Sequence, residues 1–470
     1  MNNAAELIRP DCTLIDFAGK RIGPAEIQNR KHFLKQQIHA AFNGDTVGRT
    51  VFIDINLFEW VVPSILALWE MGCSIFVHDL NSAFTQIPEF AGFYDFIDTA
   101  VVDTNNFNKF NITVPLIDLQ KYQNRNYTFD ADVLVPWTTV AVKTHTSGTT
   151  GAPKIIDFNH RYVIERTISI TPFHGYDDTD KPFHFKTFHH GALFLDYALP
   201  LLSVAKEHYY LPTMKYLGPD TYNARGFLNL VMPYIQQNKL TAMIMPYDWV
   251  NYFDQANPVD TEGRLSIRTL RGYDARIANW IFENINPKNI VNQFGCSELG
   301  TMFISRVSKD NVRDYDPKRF HERAPNVEFE FDQNLVHARR TNYEWYTLAD
   351  NFVDTGTDLY YNGRSYSFII DDEPVAIYDL EVYLKTRYHP TQFQLVPDFL
   401  TSKIYLALFD STLNTDVDAI NKDIADNVSP RHCVTDVRYF HLPDVLSGIK
   451  PSGQILLYAF TKDQNDIQSH

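Results

Sequence analysis

Cysteine is scarce. Four residues (Cys12, Cys73, Cys296 and Cys433) are scattered through 470 positions and none forms a C-x-x-C pair. That excludes reading the chain as a disulfide framework and points to a reduced compartment. Basic charge is also short, with 42 Lys and Arg against 57 Asp and Glu, a formal net charge of −15. Non-specific nucleic-acid binding needs positive surface, so no nucleic-acid partner is expected. No apolar run approaches the roughly 18 residues of a membrane span. The first ten residues, M-N-N-A-A-E-L-I-R-P, lack the charged-then-apolar pattern of a secretion signal. A cytoplasmic protein without a membrane span is the expectation. The nucleotide-binding pattern G-x-x-x-x-G-K-[S/T] is missing too.

What is present is ordinary globular material, 44% hydrophobic and 21% charged, in a chain long enough for more than one domain. One stretch stands apart: Thr144–Lys154, T-H-T-S-G-T-T-G-A-P-K. The apolar run Thr139-Val140-Ala141-Val142 before it reads as a buried strand, and Ile155–Ile170 after it looks partly helical. The loop is therefore expected at the carboxyl end of a strand, where open α/β sheets place ligands. Gly148 and Gly151 let backbone N–H groups approach a ligand closely, and successive N–H groups make an anion-binding nest. Thr146, Ser147, Thr149 and Thr150 add hydroxyl donors, and Lys154 adds a point charge. Together these groups suit a triphosphate.

Other segments read by periodicity. Thr50–Ile55 and Cys73–Val77 are strand candidates flanking a helix candidate, Phe58–Met71, which Gly72 stops. This βαβ unit implies a parallel sheet. Thr241–Met245 and Ile290–Phe294 read as strands, and Asn223–Gln237 as a helix. Beyond Asn326, Val327, Phe329 and Phe331 alternate, and Asn362-Gly363 predicts a hairpin turn within Leu359–Ile370. The last hundred residues look like a small α/β unit, with strands at Lys403–Phe409 and Val434–Phe440 around a helix at Thr415–Asn427.

The run T-S-G-T-T-G-x-P-K, Thr146 to Lys154, resembles the phosphate loop of the adenylate-forming (AMP-binding) superfamily: acyl-CoA synthetases, luciferases and peptide-synthetase adenylation domains. The resemblance implies an α/β fold. A large N-terminal domain, 1–370, would hold mixed and parallel sheets with helices and a β-rich subdomain. A small mobile C-terminal α+β domain would occupy 371–470, hinged near Asp371-Asp372.

It also implies a set of site residues. Phe294-Gly295-Cys296-Ser297-Glu298 resembles the family's Y-G-x-T-E. Phe294 would stack on adenine, Ser297 would hold the α-phosphate, and Glu298, with Thr149, would hold Mg²⁺. On the residues alone, a strand-ending glycine followed by Ser-Glu reads equally as a helix cap. Phe188-His189-His190-Gly191 falls where the family borders its carboxylate pocket. His189 or His190 would line that pocket, and Gly191 would let an acyl group pass close to backbone. Leu270-Arg271-Gly272-Tyr273 is a poor match to the turn that touches adenine. In Asp354-Thr355-Gly356-Thr357-Asp358, Asp358 is favoured over Asp354 as the ribose ligand.

The catalytic lysine has two candidate alignments. Pro443-to-Ser447 spacing selects Lys450, whereas Ser452-Gly453-Gln454-Ile455 would put Gln454 in its place. A lysine there would neutralise charge between carboxylate and α-phosphate.

The implied activity is that of an AMP-forming carboxylate ligase, similar to acyl-CoA synthetases. ATP, Mg²⁺ and a small carboxylic acid would give an acyl-adenylate and pyrophosphate. A thiol such as CoA or a carrier phosphopantetheine would then accept the acyl group. The segment Glu373-Pro374-Val375-Ala376 replaces the family's glycine-rich stretch and argues against CoA. Two rivals remain: a degenerate nucleotide- or acyl-binding member without turnover, and a phosphotransferase that releases ADP.

Overall fold

The structure, a computed structural model, describes residues 3–54, 57–78, 95–103, 114–131, 133–145, 154–185, 188, 191–211, 224–245, 253–254, 256–269, 275–332, 335–364, 367–370, 373–388, 392–398, 401, 403–441, 446–447, 450–451 and 453–461.

Two large sheets carry the first three hundred residues. The six-stranded sheet runs in the order Leu116–Asp118, Thr99–Val102, Thr50–Asp54, Ser74–His78, Val140–His145, Ile155–Asn159. All neighbours are parallel except the last pair, which is antiparallel. The nine-stranded sheet has a parallel centre that includes Thr13–Asp16, Pro182–His184, Ala242–Met245, Ser266–Thr269 and Asn289–Cys296. Its last long strand, Gly300–Val307, turns back antiparallel on Asn289–Cys296.

Both sheets are apolar on both faces, as buried parallel sheets must be. Strand alternation decides which residue enters which core. Val51, Ile53 and Ile75 face helices Pro24–Ala41 and Phe58–Glu70, which fill the space between the sheets. Leu14, on the nine-stranded sheet, joins the same core. Its neighbour Ile15 points the other way, into a second core with helices Ala224–Gln237 and Ala275–Asn284.

The outer face of the six-stranded sheet, Phe52, Phe76, Ala100 and Val102, is covered by Val396, Tyr405, Leu456 and Phe460 of the C-terminal unit. That unit is a three-stranded sheet, Phe393–Asp398, Lys403–Leu408 and Asp436–Tyr439, with helices Ile377–Arg387 and Val417–Asn427 on it. In the chain between the two large sheets and the C-terminal unit, Arg319–Phe320, Leu359–Arg364, Tyr346–Asp354, Leu335–Arg340 and Val327–Asp332 form an antiparallel sheet, the expected β-rich part.

Two local expectations change. Ile155–Ile170 divides into a strand, Ile155–Asn159, and a helix, His160–His174, whose Asn159 side chain accepts from Tyr162 N. The Asn362-Gly363 hairpin turn does not form: both residues lie inside strand Leu359–Arg364. Phe352 pairs with Tyr361 and Asp350 with Arg364, so two residues oppose one and the pair makes a β-bulge. Residues that suit a tight turn also suit a bulge, and the long partner strand Tyr346–Asp354 decided between them. The actual hairpin there joins Ser367–Ile370 to Glu373–Ala376, across the expected hinge residues Asp371-Asp372, which lie outside the described residues.

Candidate functional site

The phosphate-loop residues Thr146, Ser147, Gly148, Thr149, Thr150 and Gly151 lie outside the described residues, as do His189, His190 and the 270–273 turn. The two strands that flank the loop are described. Val140–His145 leads into it and Ile155–Asn159 returns antiparallel, with His145 opposite Ile155. This antiparallel pair forms the edge of the six-stranded sheet, and Lys154, directly before its second arm, is exposed.

Gly191 lies against the first of these strands. A Cβ there would come 2.8 Å from Thr144 Oγ1. The missing side chain thus admits Thr144.

The second motif is a hairpin, not a helix cap. Asn289–Cys296 and Gly300–Val307 are joined by a turn of three residues, Ser297, Glu298 and Leu299. Ser297 and Glu298 are half-buried at its tip. A bulge between Phe294 and Gly295 tightens the turn. A Cβ on Gly295 would sit 2.2 Å from Gly300 O, so only glycine fits that crossing. Gly300 has φ +75°, the left-handed region.

Three buried side chains from three elements hold the backbone of this turn. Tyr162 Oη donates to Glu298 O at 2.5 Å. Arg340 Nε donates to Leu299 O at 2.9 Å, and its Nη1 donates to Ser169 Oγ at 3.2 Å. Asp196 accepts from Thr301 N at 2.7 Å and from Thr301 Oγ1 at 2.9 Å. Asp196 also accepts from Arg166 Nε at 2.7 Å, in an ion pair whose partners are 0% and 1% exposed. Sequence reasoning missed this set. One signal was available: Tyr162, Arg166 and Ile170 recur at helical spacing, so Arg166 stands in an apolar stripe where a cation needs a partner.

The same contacts link the two motifs. Phe158, opposite Val142 on the strand pair, stacks on Tyr162 with ring centroids 4.9 Å apart. Tyr162 then reaches Glu298 O.

Phe294 is half-buried in an aromatic cluster. Its centroid lies 4.9 Å from Phe352 and 5.5 Å from Tyr361. Tyr361 belongs to the strand that starts directly after Asp358. Asp358 is already paired, with Arg319 Nη2 at 2.7 Å and His321 Nδ1 at 2.6 Å. These hydrogen bonds, Arg319 first, pull its pKa down to about 2. Asp354 is paired with Arg323 at 2.7 Å. A carboxylate has about four acceptor sites, so a ribose at Asp358 would share it with Arg319 and His321. Burial pushes the Cys296 thiol up to about 12, which keeps it protonated and makes it no nucleophile.

Lys450 lies in a two-residue strand, with Ser447 opposite it, and Gln454 lies in the first turn of helix Gly453–Thr461. The backbone is described at both, the side chains at neither. That helix carries Leu456 and Phe460 into the core that also holds Phe76, and Ile155, the first residue of the strand after the phosphate loop, packs against this core. Among the described residues no group of three His, Cys, Asp or Glu side chains could by itself hold a metal, and no helix is long and apolar enough to cross a membrane.

No family model matches the sequence, and no curated protein matches it. Solved structures do match. ATP-bound MatB from Rhodopseudomonas palustris superposes with a TM-score of 0.72 at 15% identity, over 98% of this chain and 99% of that one. McyG A-PCP complexed with phenylalanyl-adenylate gives 0.73 at 12% identity, over 99% and 82%. The O-succinylbenzoate coenzyme A synthetase MenE from Bacillus subtilis, in complex with ATP and magnesium ion, gives 0.70 at 14% identity, over 93% and 95%. Over nearly its whole length, therefore, this chain has the fold of the adenylate-forming (AMP-binding) enzymes.

Proposed function

We propose that the protein activates a carboxylic acid with ATP, forming an acyl-adenylate and releasing pyrophosphate. The observation that carries this reading is the link between the strand pair around the Thr146–Lys154 motif and the Ser297–Glu298 turn, inside a fold matched end to end by an ATP-bound structure.

In this reading the loop's N–H groups and hydroxyls, with Lys154, bind the β- and γ-phosphates. Ser297 donates to an α-phosphate oxygen, and the Phe294 ring borders adenine. The acid's carboxylate oxygen attacks the α-phosphorus and pyrophosphate leaves. Lys450 offsets the charge that builds between the two. Mg²⁺ fits the donor set: it keeps much of its water and binds through one or two carboxylates plus phosphate oxygens, and Glu298 supplies one carboxylate. When bound, it supplies charge neutralisation on the phosphates. The reaction is placed in the cytoplasm. A thiol, CoA or a carrier phosphopantetheine, is the proposed acceptor. If the small domain swings to deliver it, Phe52 and Phe76 must part from Tyr405 and Phe460, so transfer is expected to be slower than adenylation.

Lys450→Ala is expected to lower ATP–pyrophosphate exchange by about 100-fold or more, the scale of removing one transition-state donor, while ATP binding stays nearly intact. Unchanged exchange in that variant would remove Lys450 from the mechanism. One alignment favours a non-catalytic binder instead: matched through Ser452-Gly453-Gln454, the motif has glutamine in place of the lysine. ATP binding without exchange in the unmodified protein would establish that reading.

A further inference from the structure

We infer that Asp196, Tyr162 and Arg340 are positioning residues for the Ser297–Glu298 turn. This deepens the adenylation reading and rests on it for its catalytic consequence.

The three side chains engage the backbone at three nearby positions. Glu298 O, Leu299 O and Thr301 N are each bonded to a different one, and the residues are 6% (Tyr162), 4% (Arg340) and 1% (Asp196) exposed. They come from helix His160–His174, from the antiparallel sheet and from the π-helical turn Phe194–Ala198. A π-turn adds a residue to the helical repeat and re-aims the side chains that follow, and such turns recur at functional sites. Here it carries Asp196 toward Thr301. On the fourth side, the Arg166 guanidinium fills the place of the missing Gly300 side chain, where a Cβ would meet Nη2 at 2.4 Å. The peptide units from Glu298 to Thr301 are thus fixed from several directions by buried groups. These bonds use no side-chain atom of Ser297 or Glu298, and both residues remain partly exposed at the tip.

A clamp of this kind serves a turn whose side chains must meet phosphate and metal at a set distance. A misplacement near 1 Å costs about 100-fold in rate. The structure also gives it a charge sense. Two buried guanidinium groups face one buried carboxylate, and among the described residues Arg166 Nη1, Arg166 Nη2 and Arg340 Nη2 have no hydrogen-bond partner. The clamp therefore places excess positive charge behind the turn.

The test uses Tyr162→Phe in the full chain, because it removes one hydroxyl and keeps the packed ring. Asp196→Asn is the second variant. Tyr343→Phe is the matched control: its hydroxyl donates to Glu165 at 3.1 Å beside the Tyr162 ring, away from the turn. Tyr162→Phe is expected to lower kcat for acid-dependent pyrophosphate release about 10-fold with KM for the acid unchanged. It should raise the Mg²⁺ concentration for half-maximal rate and speed amide hydrogen exchange at 297–301. Tyr343→Phe should change none of these. Native activity with unaltered kcat, Mg²⁺ dependence and exchange in Tyr162→Phe would overturn the clamp and leave adenylation standing. If the native chain turns over no acid, the adenylation reading fails first. The exchange measurement then decides the clamp alone: unaltered protection overturns it, and faster exchange confined to 297–301 supports it.

Discussion

Lowering the pH from 6.5 toward 4 is expected to destabilise this protein by several kcal/mol. Burial pushes both His160 and His208 from the usual 6.5 down to about 4. His160 is 0% exposed, and its Nδ1, the atom a second proton would take, already accepts from Ala4 N at 3.1 Å. His208 is likewise 0% exposed, its Nε2 is 3.1 Å from Ala205 O, and its Nδ1 is 3.0 Å from His184 Nε2. Arg9 adds a like charge nearby. His174 and His184 are also held well below the usual value by burial.

The folded pKa lies below the unfolded one. The stability these groups contribute is therefore complete above pH 6.5 and is lost as pH falls toward 4, where the unfolded chain binds more protons. A fall from 6.5 to about 4 is worth about 3 kcal/mol per histidine, so His160 and His208 together are comparable to the low end of an ordinary domain's stability, about 5–15 kcal/mol. Asp358, drawn down to about 2, acts in a separate window below pH 3.8. Urea midpoints at half-unit steps from pH 7.5 to 4.5 check this. A steep fall below 6.5, flattened in His160→Gln, is expected; constant midpoints to pH 4.5 would contradict it.

Alanine at Gly295 or Gly300 removes activity and costs about 2–4 kcal/mol of stability. The left-handed backbone at Gly300 accounts for about 1–2 kcal/mol of that, and overpacking for a further 1–3 kcal/mol. At Gly300 the new methyl meets Arg166, which is 0% exposed and tied to Asp196, so it has nowhere to go. At Gly295 the obstacle is backbone, Gly300 O at 2.2 Å, and the two strands must separate. Either movement shifts Ser297 and Glu298. Gly175→Ala separates strain from collision: its φ is +71°, yet nothing among the described residues lies within 4 Å of a Cβ there. It should lose only the backbone cost and keep full activity. Thermal unfolding and pyrophosphate release on the three variants test this. Equal losses at Gly300 and Gly175 would show that backbone strain alone, without steric contact, sets the cost at Gly300.

Much of this architecture is legible in residue order, for physical reasons. Val51, Phe52 and Ile53 form a continuous apolar run because their sheet is buried on both faces, and the βαβ opening follows from Gly72 ending the Phe58–Glu70 helix. The Thr146–Lys154 motif is legible because a phosphate cradle needs small residues and hydroxyls in series. Local pattern fails where long-range pairing decides. Asn362-Gly363 carries a turn's chemistry, but pairing with Tyr346–Asp354 makes it a bulge. Ile155–Asn159 has little strand signal of its own and is a strand because Val140–His145 offers it an edge. The clamp was hidden for the same reason: Tyr162 and Glu298 are 136 residues apart, and Asp196 and Thr301 are 105 apart.

The most direct test of the central claim incubates the full chain with ATP, Mg²⁺ and a panel of carboxylic acids, with AMP, ADP and pyrophosphate resolved. The account predicts AMP and pyrophosphate in equal amounts, dependent on the acid and lost in Lys450→Ala. ADP and phosphate as products, or bound ATP with no turnover for any acid, would contradict it.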